Sequence, residues 1–189
     1  MIKKFFLISS LLIIGSLIIF SSCKKKNKTV KIGQSYQGGV IAYILQPGDN
    51  GYDANVQHGL IAASSDLSTT AEWGCDTTYI LGAVGTAIGT GNQNTIAIMN
   101  ACSESGIAAR LCGDLVLEGY SDWYLPSKDE LARLYDNKAA IGGFGNIYYW
   151  SSSESSGHEF AWFQYFLDGG QIYGGYKGYS YYVRAVRSF

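Results

Sequence analysis

The sequence predicts an α+β domain with two main helices and small, irregular antiparallel sheets, carried behind an exported, lipid-anchored leader. Three observations point there. The chain has 24 Gly and 15 Tyr but only two Pro, and most of the Gly and Tyr follow residue 31, often side by side. Glycine permits tight turns and tyrosine supplies rigid, amphipathic contact area, so short elements joined by turns are expected. Helix-period segments occupy the middle of the chain, and three aromatic or β-branched runs close it.

The leader comes first. Residues 1–4 carry two lysines, residues 5–20 are apolar apart from Ser9, Ser10, Gly15 and Ser16, and Ser21 and Ser22 precede Cys23. This order of positive, apolar and small-residue regions is that of a secretory signal peptide. A cysteine directly after the small residues resembles a lipobox, where the thiol takes a diacylglyceryl group and becomes the mature amino terminus. The apolar run is shorter than the roughly twenty residues a spanning helix needs. Residues 1–22 are read as a lipoprotein signal peptide, with lipidation at Cys23, export, and a membrane anchor in the outer membrane. Residues 23–31 then form a flexible tether with Lys24, Lys25, Lys26, Lys28 and Lys31. Such a run cannot bury apolar surface, though it can lie against anionic headgroups.

Residues 32–189 are long enough for one domain with a sizeable core. They hold seven basic side chains against all 15 acidic ones, a net charge of −8 that the tether conceals. That balance argues against a nucleic-acid partner, whose phosphates call for cations. It also counts, less strongly, against a polyanionic glycan.

Residues 38–45 (GGVIAYIL) and 59–63 (GLIAA) are apolar runs between turn formers and read as buried strands. Between them, residues 48–55 read as a turn. Its Asp49, Asn50 and Asp53 lack the twelve-residue pattern and closing glutamate of a calcium loop. Residues 85–91 (GTAIGTG) lack the Lys-Ser/Thr of a phosphate loop and read as a turn before a helix. Over 94–112 the period becomes helical. Ile96, Met99 and Cys102 share a face, Gly106 interrupts, and a second short helix covers 107–112.

The clearest local motif is GYSDWYLPSKDEL at 119–131. Ser127 and Glu130 stand at capping-box spacing, and Pro126 blocks helix before the cap. Leu131, Leu134 and Tyr135 then make one apolar face, and Gly142 and Gly143 end the helix. Trp123 and Leu125 are expected in the core. Residues 148–154 (YYWSSSE), 159–167 (EFAWFQYFL) and 180–187 (SYYVRAVR) read as strands of an antiparallel sheet. Arg184 or Arg187, set among apolar neighbours, should be part-buried against a carboxylate.

Cys75, Cys102 and Cys112 remain after Cys23, and export makes a disulfide plausible. Cys102 could pair with Cys75 or with Cys112. No Cys-x-x-Cys spacing or neighbouring histidine supports zinc, and no metal or cofactor is expected. His58 and His158 stand in no triad order or metalloprotease helix, so no catalytic residue is assigned and an enzyme is not expected.

The order GYSDWYLPSKDEL, YWSSSE, AWFQYF, YVRAVRSF is similar to the recurring pattern of the Lcl C-terminal domain family. The resemblance covers about residues 33–189 and is strongest over 119–189. It implies a C-type-lectin-like α+β fold. The family takes its name from a collagen-like bacterial adhesin whose terminal domain binds sulfated glycans. This chain has no Gly-X-Y repeat and an acidic domain, so that specificity does not carry over. The Glu-Pro-Asn, Gln-Pro-Asp and Trp-Asn-Asp calcium motifs of sugar-binding C-type lectins are also missing.

Two functions are therefore expected. One is a surface binding or adhesion module that presents aromatic side chains to a glycan or a surface protein. The other is a structural envelope lipoprotein with no small ligand. Residues 169–182 hold five Tyr and five Gly with one charge, and read as a long hairpin whose turn displays tyrosines. The candidate contact residues are Trp162, Tyr165, Tyr173, Tyr176, Lys177 and Tyr179.

Overall fold

A computed structural model describes residues 29–189. The signal peptide, Cys23 and the tether up to Lys28 lie outside the described residues. Val30, expected in the tether, instead belongs to the domain. It is buried, and its N–H donates to Gln57 Oε1 at 2.8 Å. No helix among the described residues is long and apolar enough to cross a membrane.

The architecture is α+β, with two small sheets. The first orders its strands β1 (Ser35–Tyr36), β2 (Gly39–Ile44), β3 (Gly59–Ala62) and β9 (Val186–Ser188), all antiparallel. The second runs β4 (Ser68–Ala71), β8 (Tyr181–Val183), β5 (Tyr148–Glu154), β6 (Phe160–Tyr165) and β7 (Gln171–Tyr176). Its pairs are antiparallel except β5 with β8, which run parallel through Tyr149 and Tyr182. The purely antiparallel expectation is corrected at that pair.

The run read as one strand over 180–187 is two, because the chain leaves one sheet after Val183 and enters the other at Val186. Arg184 holds the crossing. Its buried guanidinium donates to Asp66 Oδ1 (2.7 Å) and to the carbonyls of Ala63 and Gly143. Arg187 grips Asp122 with two bonds of 2.6 and 2.8 Å. A buried cation is tolerable only when paired and hydrogen-bonded in this way.

The helices are α1 (Gly91–Ala101), α2 (Ala108–Gly113), α3 (Lys128–Asp136) and α4 (Lys138–Ile141). In α1 the buried face is Gly91, Asn94, Thr95 and Ile98, whereas Ile96 is exposed. The apolar period misplaced this face because its polar members bond to loops. Asn94 Nδ2 donates to Gly85 O, and Thr95 Oγ1 accepts from Leu125 N at 3.0 Å.

At α3 the capping box is complete. Ser127 Oγ accepts from Glu130 N (3.3 Å), and Glu130 Oε2 accepts from Ser127 N (2.7 Å). Glu130 Oε1 also accepts from Gly89 N at 2.9 Å, so the 85–91 turn is sewn to this helix start. The helix ends at Asn137 rather than at the glycines, since Asn137 Nδ2 donates to Ala42 O and Arg133 O. Gly142, at φ 79°, closes α4 instead.

Two apolar cores result. Trp73, Ile98, Leu125 and Trp150 anchor the one beneath α1 and α2; Leu131, Leu134, Tyr149 and Phe166 anchor the one beneath α3 and α4. Trp123 and Leu125 are buried, as expected.

Candidate functional site

Strand alternation places Tyr149 and Tyr182 under α3 and α4, and so turns Tyr148, Trp150 and Tyr181 to the opposite face of the five-stranded sheet. On that face the register sets Tyr148 beside Tyr165, Trp150 beside Phe163, and Phe163 beside Ile172. The result is a row of tyrosines in edge and tilted contact. Ring centroids are 4.6 Å apart for Tyr165 and Tyr148, and 5.2 Å for Tyr148 and Tyr181. They are 6.0 Å apart for Tyr181 and Tyr179, and 5.5 Å for Tyr179 and Tyr176.

Buried Trp150 and Phe163 floor the row, with centroids 4.5 and 4.9 Å from Tyr181. The floor is rigid, since Trp150 Nε1 donates to Ala71 O at 3.0 Å. Above it Tyr179 is 53 % exposed, while Tyr148, Tyr165, Tyr176 and Tyr181 are half-buried.

The end of β7 at Tyr176 and the turn after it, which carries Tyr179, are pinned from below. Lys177, expected among the contact residues, is instead fully buried and cannot meet a ligand. Its ammonium pairs with Glu154, donates to Thr78 O and His158 O at 2.8 Å each, and lies 4.7 Å from the Trp73 ring centre. Lys177 is thus a positioning residue that gathers three segments beneath the turn. The sequence shows Lys177 as the lone charge of a polar-looking turn, and nothing local announces that Glu154 arrives beside it.

Tyr176 OH donates to Asp76 Oδ2 at 2.6 Å, and that bond holds the phenol pKa above its ordinary value. Asp76 is itself held by the neighbouring Cys75–Cys102 disulfide (Cα–Cα 5.6 Å), which ties its loop to the end of α1. At Tyr181, burial raises the phenol pKa, helped by the nearby Tyr179 and Tyr148 hydroxyls. These hydroxyls stay protonated at neutral pH and remain donors.

The six candidate residues therefore divide. Tyr165, Tyr176 and Tyr179 join the row, and Lys177 lies below it. Trp162 and Tyr173 stand together elsewhere, 5.3 Å apart, with Lys128 Nζ 5.4 Å from the Trp162 ring centre. The expected hairpin is also corrected. The hairpin partner of β7 is β6, through a turn at 166–170 where Gly169 takes φ 87°, so Tyr173 and Tyr176 sit in strand β7; a turn that carries Tyr179 does follow, but it leads to β8, which does not pair with β7. Sequence reasoning missed Tyr148, Tyr181 and Asp76. The alternation of Tyr148 with Trp150, and of Tyr181 with Val183, was the available signal for the two rings.

Other features of the chain are accounted for by structure. Asp49 Oδ2 accepts from Tyr43 OH and Gln46 N, and Asp53 Oδ1 from Asn55 N, so both carboxylates brace their own turns. The Cys75, Cys102 and Glu104 group has its two sulfurs in the disulfide, which leaves no thiolate for a metal. Cys112 is buried, and burial pushes its thiol pKa far up, away from nucleophilic character. His58 Nδ1 lies 3.2 Å from Phe189 O, and His158 packs its ring against Tyr79.

The described residues thus form an α+β domain with a line of partly buried tyrosines along one side of its five-stranded sheet. The chain belongs to the Lcl C-terminal domain family, whose sequence profile matches residues 62–187. Its fold is similar to that of a fimbrial protein from Bacteroides ovatus ATCC 8483, with a TM-score of 0.55 at 14 % identity. That match covers 80 % of this chain but only 44 % of the fimbrial one, so the chain spans less than half of that protein. No curated protein matches the sequence.

Proposed function

We propose that this chain is a surface-displayed, non-catalytic binding module, exported and held to the outer membrane by a lipid on Cys23. In this reading the aromatic row engages a glycan or a surface protein. The observation that carries it is the row itself: five tyrosines in ring contact, of which Tyr181 rests on Trp150 and Phe163 and Tyr148 on Phe163, at the margin of the core beneath α1 and α2. Rings give a broad apolar surface for the C–H faces of sugars, and tyrosine loses little entropy on contact. Family membership and the fold shared with a fimbrial protein support a surface or adhesive role.

The competing reading is a structural envelope lipoprotein whose aromatic row packs permanently against another protein. Glycan-array screening and cell-adhesion assays on the full chain, alongside Tyr165→Ala and Tyr179→Ala, separate the two. Binding that disappears in both variants supports the module. Co-purification of one stoichiometric protein partner, with no glycan retained, would overturn it.

A further inference from the structure

The charge around the row narrows the ligand. Each of the seven basic residues beyond Ile32 is already engaged within the fold. Arg110, Lys128, Arg133, Lys177, Arg184 and Arg187 face Asp114, Asp129, Asp136, Glu154, Asp66 and Asp122 respectively. Lys138 donates to Phe166 O and lies over the Tyr135 ring. Among the described residues six of the 15 carboxylates are thereby paired, and nine have no cation.

Three of those nine gather at one end of the row. Asp76 accepts from Tyr176, while Lys177 N donates to Glu159 O and Trp73 N donates to Lys177 O, which sets the exposed Glu159 and Glu72 on the segments that flank the residue after Tyr176. A tyrosine row that ends in three unpaired carboxylates repels sulfate and carboxylate groups. It attracts an ammonium group twice, through the ring faces and through the acids.

We infer that the row is a subsite for a linear saccharide bearing free amines, a hexosamine chain, lying along Tyr165, Tyr148, Tyr181 and Tyr179 with an amine among Asp76, Glu72 and Glu159. This rests on the proposed binding role and specifies its ligand. The shape favours a sugar chain over a basic peptide. Peptides are held by strand edges or by anchor pockets, whereas this is a run of tilted rings that crosses strands β6, β5 and β8 and ends on the turn before β8.

The test is calorimetric titration of the full chain in detergent with glucosamine oligomers, their N-acetylated counterparts, heparin and polylysine. The glucosamine oligomer should bind, and Tyr179→Ala should abolish its binding. Glu159→Gln and Asp76→Asn should each weaken it about two- to five-fold, the size of an exposed ion pair. Those two variants should leave any residual binding of the acetylated oligomer unchanged, and salt should weaken only the amine form.

Heparin can meet the tether lysines, so only heparin binding lost in Tyr179→Ala counts, and such a loss would overturn the inference. Equal or tighter binding of the acetylated oligomer, still lost in Tyr179→Ala, would reject the amine preference and leave the binding role intact. Polylysine binding that depends on Tyr179, without saccharide binding, would replace the sugar by a basic protein segment. Saccharide binding insensitive to Tyr165→Ala and Tyr179→Ala would reject both this inference and the role on which it rests.

Discussion

Lys177 and Glu154 form an ion pair in which neither side chain is exposed to solvent, at the start of the turn that leads from Tyr176, the last residue of β7, to Tyr179. The pair joins residues 23 apart in sequence, and Glu154 also accepts from Ile80 N at 2.7 Å. Removing the cation alone strands a buried carboxylate. Lys177→Met should therefore cost about 3–5 kcal/mol in urea denaturation, while Lys177→Met with Glu154→Leu should recover much of that loss. Equal destabilisation in the single and double variants would show that the pairing is not what secures the turn.

Tyr179 and Tyr176 should respond differently to truncation. Tyr179 is largely exposed, so Tyr179→Ala should shift stability by less than about 0.5 kcal/mol while removing ligand contact. Tyr176 is half-buried and gives its hydroxyl to Asp76, so Tyr176→Phe should lower the melting temperature slightly while Tyr179→Ala leaves it unchanged. Melting and binding measured on the same variants check both. A large melting loss in Tyr179→Ala would make that ring a structural cover.

Glu130 gives the domain a pH dependence of definite sign. Burial raises its pKa above 4.5, against the lowering effect of the bonds from Ser127 and Gly89 N–H. The folded state therefore holds this proton more tightly than the unfolded chain, and stability falls as pH rises from about 4.5 through the folded pKa. Asp122 has the opposite sense. The Arg187 hydrogen bond lowers its pKa below 3.8, so its contribution is present above that value and lost only in stronger acid. Glu130→Gln keeps a side chain able to complete the capping box and should flatten the fall that begins above about pH 4.5. An unchanged urea-midpoint profile in that variant would contradict the assignment.

The anchor is tested at its one acceptor. Cys23→Ser should give an unprocessed chain that carries no palmitate label and leaves the detergent phase. Persistent labelling would refute lipidation at Cys23.

Local signals were legible in the sequence where the physics is local. The Ser127–Glu130 box, the turn at 85–91 and the aromatic strands could be read directly, because caps, turns and strand preferences act over a few residues. The α1 face was misread for the same reason. Asn94 and Thr95 are buried to serve Gly85 and Leu125, partners that periodicity does not see. The disulfide was open between two pairings, and the fold chose Cys75 with Cys102 by bringing the loop after Trp73 against the end of α1.

What the sequence by itself determined was the supply of parts: an acidic domain, many rings, strands with alternating sides, and one lysine among the last tyrosines. Only the tertiary structure decided which rings are displayed. Alternation says that Tyr148 and Tyr149 point to opposite sides, but not which side a helix will cover. Packing of Leu131 and Leu134 against Tyr149 and Phe166 covers one side; on the other, Trp150 and Phe163 enter the core beneath α1 and α2, and Tyr148, Tyr165 and Tyr181 stay half-buried at its margin. Lys177 went inward for a related reason. A charge in a turn is ordinarily solvated, and burial becomes tolerable only once the fold delivers a carboxylate and two carbonyls to its ammonium.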